Sequence, residues 1–269
     1  TEDERAGVRA EAAGSLALLS VDIKAPERVQ RLMALCDDPE ADVRGHALAA
    51  LGDLKAPESV HAIAACLSDR DPQVAFEAAF ALASLKDERA RPPLEALLTR
   101  SKRRLDACEA LRRLGSPEAV PALRAQTKKW WLPWGDRLTL WATLHSLGAE
   151  EAGAEVLART KARRFEERTY ALSLIGSHQI PQGRGTLEAV ALDPKDPLQD
   201  TAVRALGGLG LKESAGLLAN LAADPKASME LRADALTALV ACSPEKAAAY
   251  AQCGEPALRR AYERAKETT

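Results

Sequence analysis

The side chains that could do chemistry in this 269-residue chain are few and scattered. The four histidines, His46, His61, His145 and His178, stand singly, and no two share a turn of helix. There is no His-x-x-x-His or His-Glu-x-x-His to hold a metal. The five cysteines, 36, 66, 108, 242 and 253, are odd in number and form no Cys-x-x-Cys pair. Neither a disulfide framework nor a zinc knuckle is expected. Small buried hydrophobes in a reducing compartment is the reading, although Cys242 and Cys253 could meet in an oxidising one. Gly183-Arg184-Gly185 lacks the Gly-x-x-x-x-Gly-Lys spacing of a phosphate cradle and reads as a turn opening a helix. Glu150-Glu151 and Glu166-Glu167 are adjacent, so on a helix they diverge and form no acid/base couple. No catalytic residue, metal or cofactor is predicted.

Two features point instead to a surface. The first is charge. Net charge is −2, but residues 1–99 carry −7, residues 100–168 carry +6 and residues 169–269 carry −1. The basic excess gathers in three stretches: Arg100-Ser101-Lys102-Arg103-Arg104, Lys128-Lys129, and Arg159-Thr160-Lys161-Ala162-Arg163-Arg164. The second is Lys128-Lys129-Trp130-Trp131-Leu132-Pro133-Trp134, which holds three of the four tryptophans. Trp130 and Trp131 differ by about 100° around a helix, so one of them is expected outside, beside two lysines. Trp134 and Trp141 are expected in the core, Trp134 as a plug for a widened repeat. Exposed Trp next to cations is the composition of a binding hot spot.

The elements that position these residues follow from a repeat. Aromatics make up only 4% of the chain, so its core is built from Ala and Leu, which favours helix over sheet. Ile23-Lys24-Ala25-Pro26-Glu27 and Leu54-Lys55-Ala56-Pro57-Glu58 are near copies, and Leu114-Gly115-Ser116-Pro117-Glu118 repeats the cadence. An Ala/Leu run precedes each. Leucine anchors at 19, 51, 82, 111, 144, 172, 206 and 239 recur about every 31 residues. Val43, Ala47, Ala50, Leu51 and Leu54 form one apolar helical face. Each unit reads as two helices: A carries the anchor, and B opens after a turn such as Ser116-Pro117-Glu118, where Ser116 is the expected N-cap. Asp38-Pro39, Asp71-Pro72 and Asp224-Pro225 announce the next unit.

The Val43-Arg44-x-x-Ala47-x-x-Ala50-Leu51-Gly52 pattern and its period resemble the short HEAT-like repeats of phycobilisome-lyase type. The resemblance implies an all-α fold: an α-solenoid (superhelix) of about eight helix pairs with a closing helix near residues 255–266. The chain is then one domain over 1–269, with units near 1–38, 39–70, 71–100, 101–131, 132–161, 162–195, 196–225 and 226–269. Most members of this class are scaffolds or adaptors. The basic turns would stack on one edge, making Lys102, Arg103, Arg104, Lys128, Lys129, Trp130, Trp131, Lys161, Arg163 and Arg164 the expected contact surface.

The function expected is that of a non-catalytic scaffold or adaptor. It would bind a protein partner with an acidic surface through the concave face or this edge. The alternative is nucleic-acid binding, by resemblance to HEAT-like alkylpurine DNA glycosylases. A sequence pI of about 6.2 weighs against it. A bilin-lyase subunit is implied by the repeat class alone. No small-molecule substrate and no membrane partner are expected. No apolar run approaches the length of a membrane span and no export signal is evident, so the cytoplasm is the expected location.

Overall fold

The computed structural model describes residues 4–18, 25–252 and 255–268. Anchor Leu19, Ile23, Lys24 and the proposed Cys242–Cys253 pairing (through Cys253) lie outside the described residues or depend on one that does. The described residues are helical throughout, with no strand. They divide into two compact units, Thr1–Lys129 and Trp130–Thr269.

The first unit holds four helix pairs. They are α1 (Ala6–Leu18) with α2 (Ala25–Leu35), α3 (Ala41–Asp53) with α4 (Val60–Ala65), α5 (Pro72–Ser84) with α6 (Arg91–Leu97), and α7 (Arg104–Leu114) with α8 (Val120–Thr127). The second unit holds four more and a closing helix. These are α9 (Trp134–Ser146) with α10 (Ala152–Arg159), α11 (Phe165–Ser177) with α12 (Arg184–Leu192), α13 (Gln199–Leu209) with α14 (Ala215–Ala223), α15 (Met229–Cys242) with α16 (Pro244–Ala247), and α17 (Pro256–Thr268). The all-α solenoid of eight pairs and a closing helix is therefore the observed fold class.

The A helices are the spine. Helix α3 lies between α1 and α5, so residues on more than one of its faces are buried: Val43, Ala47, Leu48, Ala50 and Leu51. Anchors Leu51, Leu82, Leu111, Leu144, Leu172, Leu206 and Leu239 are all buried. The glycine one position after an anchor lets backbones touch. A Cβ on Gly52 would lie 2.9 Å from Ala81 Cα, and one on Gly207 2.9 Å from Ala238 Cα. Small residues thus set the close spacing of successive A helices.

The entry to helix B differs from expectation. Ser116 holds the N-cap position with extended backbone, yet its side chain makes no capping hydrogen bond. Residues Pro117–Ala119 form a 3₁₀ turn first, and the buried Ser116 hydroxyl turns to carboxylates, Glu118 at 2.8 Å and Glu88 at 3.0 Å. A hydroxyl excluded from water binds the strongest acceptor in reach. Gly183 does belong to a turn opening helix B, and no side chain fits there: a Cβ would lie 2.5 Å from Ile175 Cγ2. No helix among the described residues is long and apolar enough to cross a membrane.

Candidate interaction surface

The acidic turns owe their charge to folding. In each unit, arginines from A helices reach forward to the acid of the next turn and back to a carbonyl of their own. Arg44 in α3 is the clearest case. Its Nε and Nη2 donate to the Asp69 carboxylate, both at 2.8 Å, and its Nη1 donates to the Asp38 and Pro39 carbonyls at 2.8 and 3.1 Å. Arg9 grips Asp38 in the same bidentate way at 2.8 and 3.0 Å. In the second unit Arg168 pairs with Asp196 and Arg232 with Glu255. Hydrogen bonds from Arg9, Arg44 and Arg168 hold the carboxyl groups of Asp38, Asp69 and Asp196 below the ordinary range. Asp38, Asp69 and Asp196 also accept backbone N–H groups two residues on.

The basic turns have no acid to offer. In the first unit, α5 carries Ala75 where α3 carries Arg44, so the turn after α6 needs no acid. Its cations find other work. Arg104 is 0% exposed, with Nε donating to the Leu98 carbonyl at 2.9 Å. This overturns the expectation that Arg104 lies on a contact surface: it is the ladder arginine of α7, turned inward to satisfy a carbonyl. Arg103 is half-buried, 4.5 Å over the Phe76 ring, and bonded to Gln73 and Asp106. Lys129 donates to Gln126 Oε1 at 2.6 Å. Lys102 and Lys128 are exposed.

In the second unit the turn into α9 lies open. Trp130 is 89% exposed and Trp131 52% exposed, so both tryptophans, rather than one, face water. Residues 128–133 are not helical, so the 100° argument does not apply to them. Leu132 is buried and anchors the turn, and Arg137 Nη2 donates to the Trp130 carbonyl at 3.2 Å. Trp134 is 38% exposed and is not a core plug. It opens α9 and rests edge-on against Tyr170, with ring centroids 6.1 Å apart. Trp141 packs on the core as expected.

One aromatic escaped the sequence reading. Phe165 opens α11, lies 31 positions after Trp134, and is 53% exposed. Applying the repeat period to Trp134 finds it. The hydrogen bond between Thr139 Oγ1 and the Tyr170 hydroxyl at 2.7 Å confirms that register. Lys161, Arg163 and Arg164 precede Phe165 and are all exposed, and among the described residues their side chains make no hydrogen bond or ion pair. Trp130, Trp131, Trp134, Phe165 and these three cations thus stand around the openings of two successive A helices.

Three of the four histidines are bonded within the fold. Nδ1 of His46 meets the Asp42 carbonyl at 2.7 Å, that of His145 the Glu150 carbonyl at 3.2 Å, and that of His178 the Ser146 hydroxyl at 3.0 Å. Among the described residues no three His, Cys, Asp or Glu side chains are grouped to hold a metal.

Helix pairs on a common period, stacked through A helices within each unit and tied by arginine–carboxylate rungs, form an all-α solenoid that resembles HEAT repeats. The HEAT-repeat family profile matches residues 29–105 and, overlapping, 60–132. No curated protein matches the chain in sequence. Among solved structures, a chain of the CpcE–CpcF complex of phycocyanin lyase from Nostoc sp. superposes with a TM-score of 0.53 at 20% identity. The match covers 93% of this chain and 97% of that one. Human deoxyhypusine hydroxylase, in complex with glycerol, gives a TM-score of 0.37 at 19% identity over 90% of this chain and 95% of that one. Importin beta gives 0.44 at 12% identity over 96% and 45%.

Proposed function

We propose that this HEAT-repeat chain is a non-catalytic scaffold that binds a protein partner through the exposed aromatic and basic residues at the openings of α9 and α11. The observation that carries the reading is the exposure of Trp130 beside Trp131, Trp134 and Phe165. Four large apolar rings in water are a cost that a partner removes. Lys161, Arg163 and Arg164 have no carboxylate of their own, so the partner is expected to be acidic where it meets them. Lys128 and Lys129 precede Trp130 in the chain and add to the basic character of the sequence there; Lys102 and Arg103 are the outlying members of the set.

The complex in the phycocyanin lyase structure offers a precedent for a paired assembly of this fold, though at 20% identity the likeness concerns the fold alone. Nucleic acid is the second reading. It is favoured by the same exposed Trp rings, on which bases stack, and opposed by the net charge of −2.

The test compares wild type with a Trp130→Ala/Trp131→Ala variant and an Arg163→Glu/Arg164→Glu variant. Each is used to capture partners from native extract, with capture quantified by mass spectrometry. Each is also titrated with labelled single-stranded DNA and RNA at two salt concentrations. The reading expects one acidic protein lost from both variants and no salt-dependent nucleic-acid binding. Equal capture by all three proteins refutes it, and tight nucleic-acid binding moves the assignment to the second reading.

A further inference from the structure

Cys36 and Cys66 occupy equivalent positions, 30 residues apart, where α2 and α4 run into the turns that follow them. Both are buried. Cys36 Sγ donates to the Leu32 carbonyl at 3.6 Å and Cys66 Sγ to the Ala62 carbonyl at 3.5 Å, each one helical turn back. Cys66 Sγ also lies 3.9 Å from the Cys36 carbonyl oxygen, which sets the two residues side by side. Two buried apolar residues need only pack. Both line a cavity of about 390 Å³ that opens to solvent, and charged Asp37, Arg44, Asp69 and Arg70 line it with them, beside Pro39 and Ala65. A small polar reagent therefore has a path to both sulfurs. The remaining described cysteines do not share this setting: Cys108 and Cys242 are buried in different units.

We propose that Cys36 and Cys66 form a redox modification site, which a low-molecular-weight disulfide of the glutathione type oxidises to an intramolecular disulfide stapling the first helix pair to the second. The two thiols are unequal. The Cys36 hydrogen bond and the nearby Arg44 guanidinium favour the Cys66 thiolate, whereas the hydrogen bond to Cys66, then burial and the Cys66 charge, push the Cys36 thiol up. Asp37 and Asp69 also face the pair and oppose ionisation at Cys66, and Arg44 is shared with Asp69. Cys66 is thus the first nucleophile.

Its thiolate attacks one sulfur of the small disulfide, forming a mixed disulfide and expelling one small thiolate. That thiolate takes the Cys36 proton. The Cys36 thiolate then attacks the Cys66 sulfur, forming the Cys36–Cys66 bond and expelling the second small thiolate. Two protein thiols are oxidised and one small disulfide is reduced to two thiols. The bond would join turns that already hold Asp38 and Asp69, the acceptors of Arg9 and Arg44. Each repeat touches only its neighbours, so the staple acts on the boundary between the first two pairs.

The experiment incubates the native full chain with glutathione disulfide, alkylates the remaining thiols and maps the digest by mass spectrometry, with and without later reduction. A Cys253→Ser form is run alongside, so that this cysteine cannot compete. The expected product is a Cys36–Cys66 linked peptide, lost on reduction. It should form at least tenfold faster than any link to Cys108 or Cys242. A Cys36→Ser variant should stop at a mixed disulfide on Cys66. Oxidation that halts at mixed disulfides in the wild type, or a link that forms only in urea, overturns the proposal. A Cys66→Ser variant that acquires the small thiol on Cys36 faster than Cys36→Ser does on Cys66 overturns the assigned order of attack.

Discussion

Replacing Arg44 by Ala tests whether the arginine–carboxylate rungs hold the repeats together. The Arg44 side chain is 6% exposed and its partner Asp69 11%. The substitution removes four hydrogen bonds, two to the Asp69 carboxylate and two to the Asp38 and Pro39 carbonyls. It leaves a largely buried carboxylate without its counter-charge. Breaking such a pair from one side typically costs about 3–5 kcal/mol, most of it from the charge left behind. With a urea slope of about 2 kcal/mol per molar, the first unit should lose about 2 M in its unfolding midpoint. Arg44→Lys keeps the charge but cannot span both carboxylate oxygens, so it should recover only part of the loss.

The control is Arg204–Asp234 in the second unit, a 2.8 Å pair whose side chains are 61% and 32% exposed. There Arg204→Ala should cost about 1 kcal/mol or less. Urea titrations followed by circular dichroism give the comparison, and tryptophan fluorescence reports separately on the second unit, which holds all four tryptophans. An Asp69→Ala variant closes a double-mutant cycle. If Arg44→Ala and Arg204→Ala shift the midpoint equally, or if the two changes at Arg44 and Asp69 add independently, the rung carries no special weight and the reasoning fails.

Stability should also fall on acidification. The pKa values of Asp38, Asp69 and Asp196 are depressed in the folded chain, so their contribution is complete above the unfolded value of about 4 and is lost as pH drops through the depressed values. Urea midpoints measured between neutral and strongly acid pH would show the decline beginning near pH 4, and a flat profile there contradicts the ladder. Leu51→Ala and Leu82→Ala remove side chains that are fully buried and should each cost roughly 2–5 kcal/mol, read as lowered denaturation midpoints. Gly176→Ala should destabilise strongly, because its Cβ would sit 2.6 Å from the Ala205 carbonyl oxygen, a backbone atom that can move only with its helix. Thermal unfolding of this variant at the wild-type midpoint would contradict that packing. Trp130→Ala should leave stability within about 0.5 kcal/mol of wild type, since an exposed ring makes few contacts to lose.

The helical period, the anchors and the solenoid class were legible because they rest on residues close in the chain. Spacing alone puts Val43, Ala47, Ala50 and Leu51 on one face, and an Ala-rich face needs neighbours at short range. The basic and Trp-rich turns stood out for the same reason, as runs of like residues. Much of what these residues touch was settled by residues about 25–36 positions away, in the neighbouring repeat. Arg44 reads as a surface charge until Asp69 folds against it, and the acidic turns read as solvated until the arginines reach them. Arg104 belongs to a basic run in sequence, yet tertiary packing turns it inward to the Leu98 carbonyl while Lys102 stays in water. Trp134 sits on an apolar stripe of α9, but the wall it meets is the edge of Tyr170 rather than a closed core. Cys36 and Cys66 look unrelated in the chain and become a pair only because successive B helices end side by side. Local pattern determines which face of a helix is apolar. Which charges are consumed in holding the stack, and which remain for a partner, is decided by the neighbouring repeat.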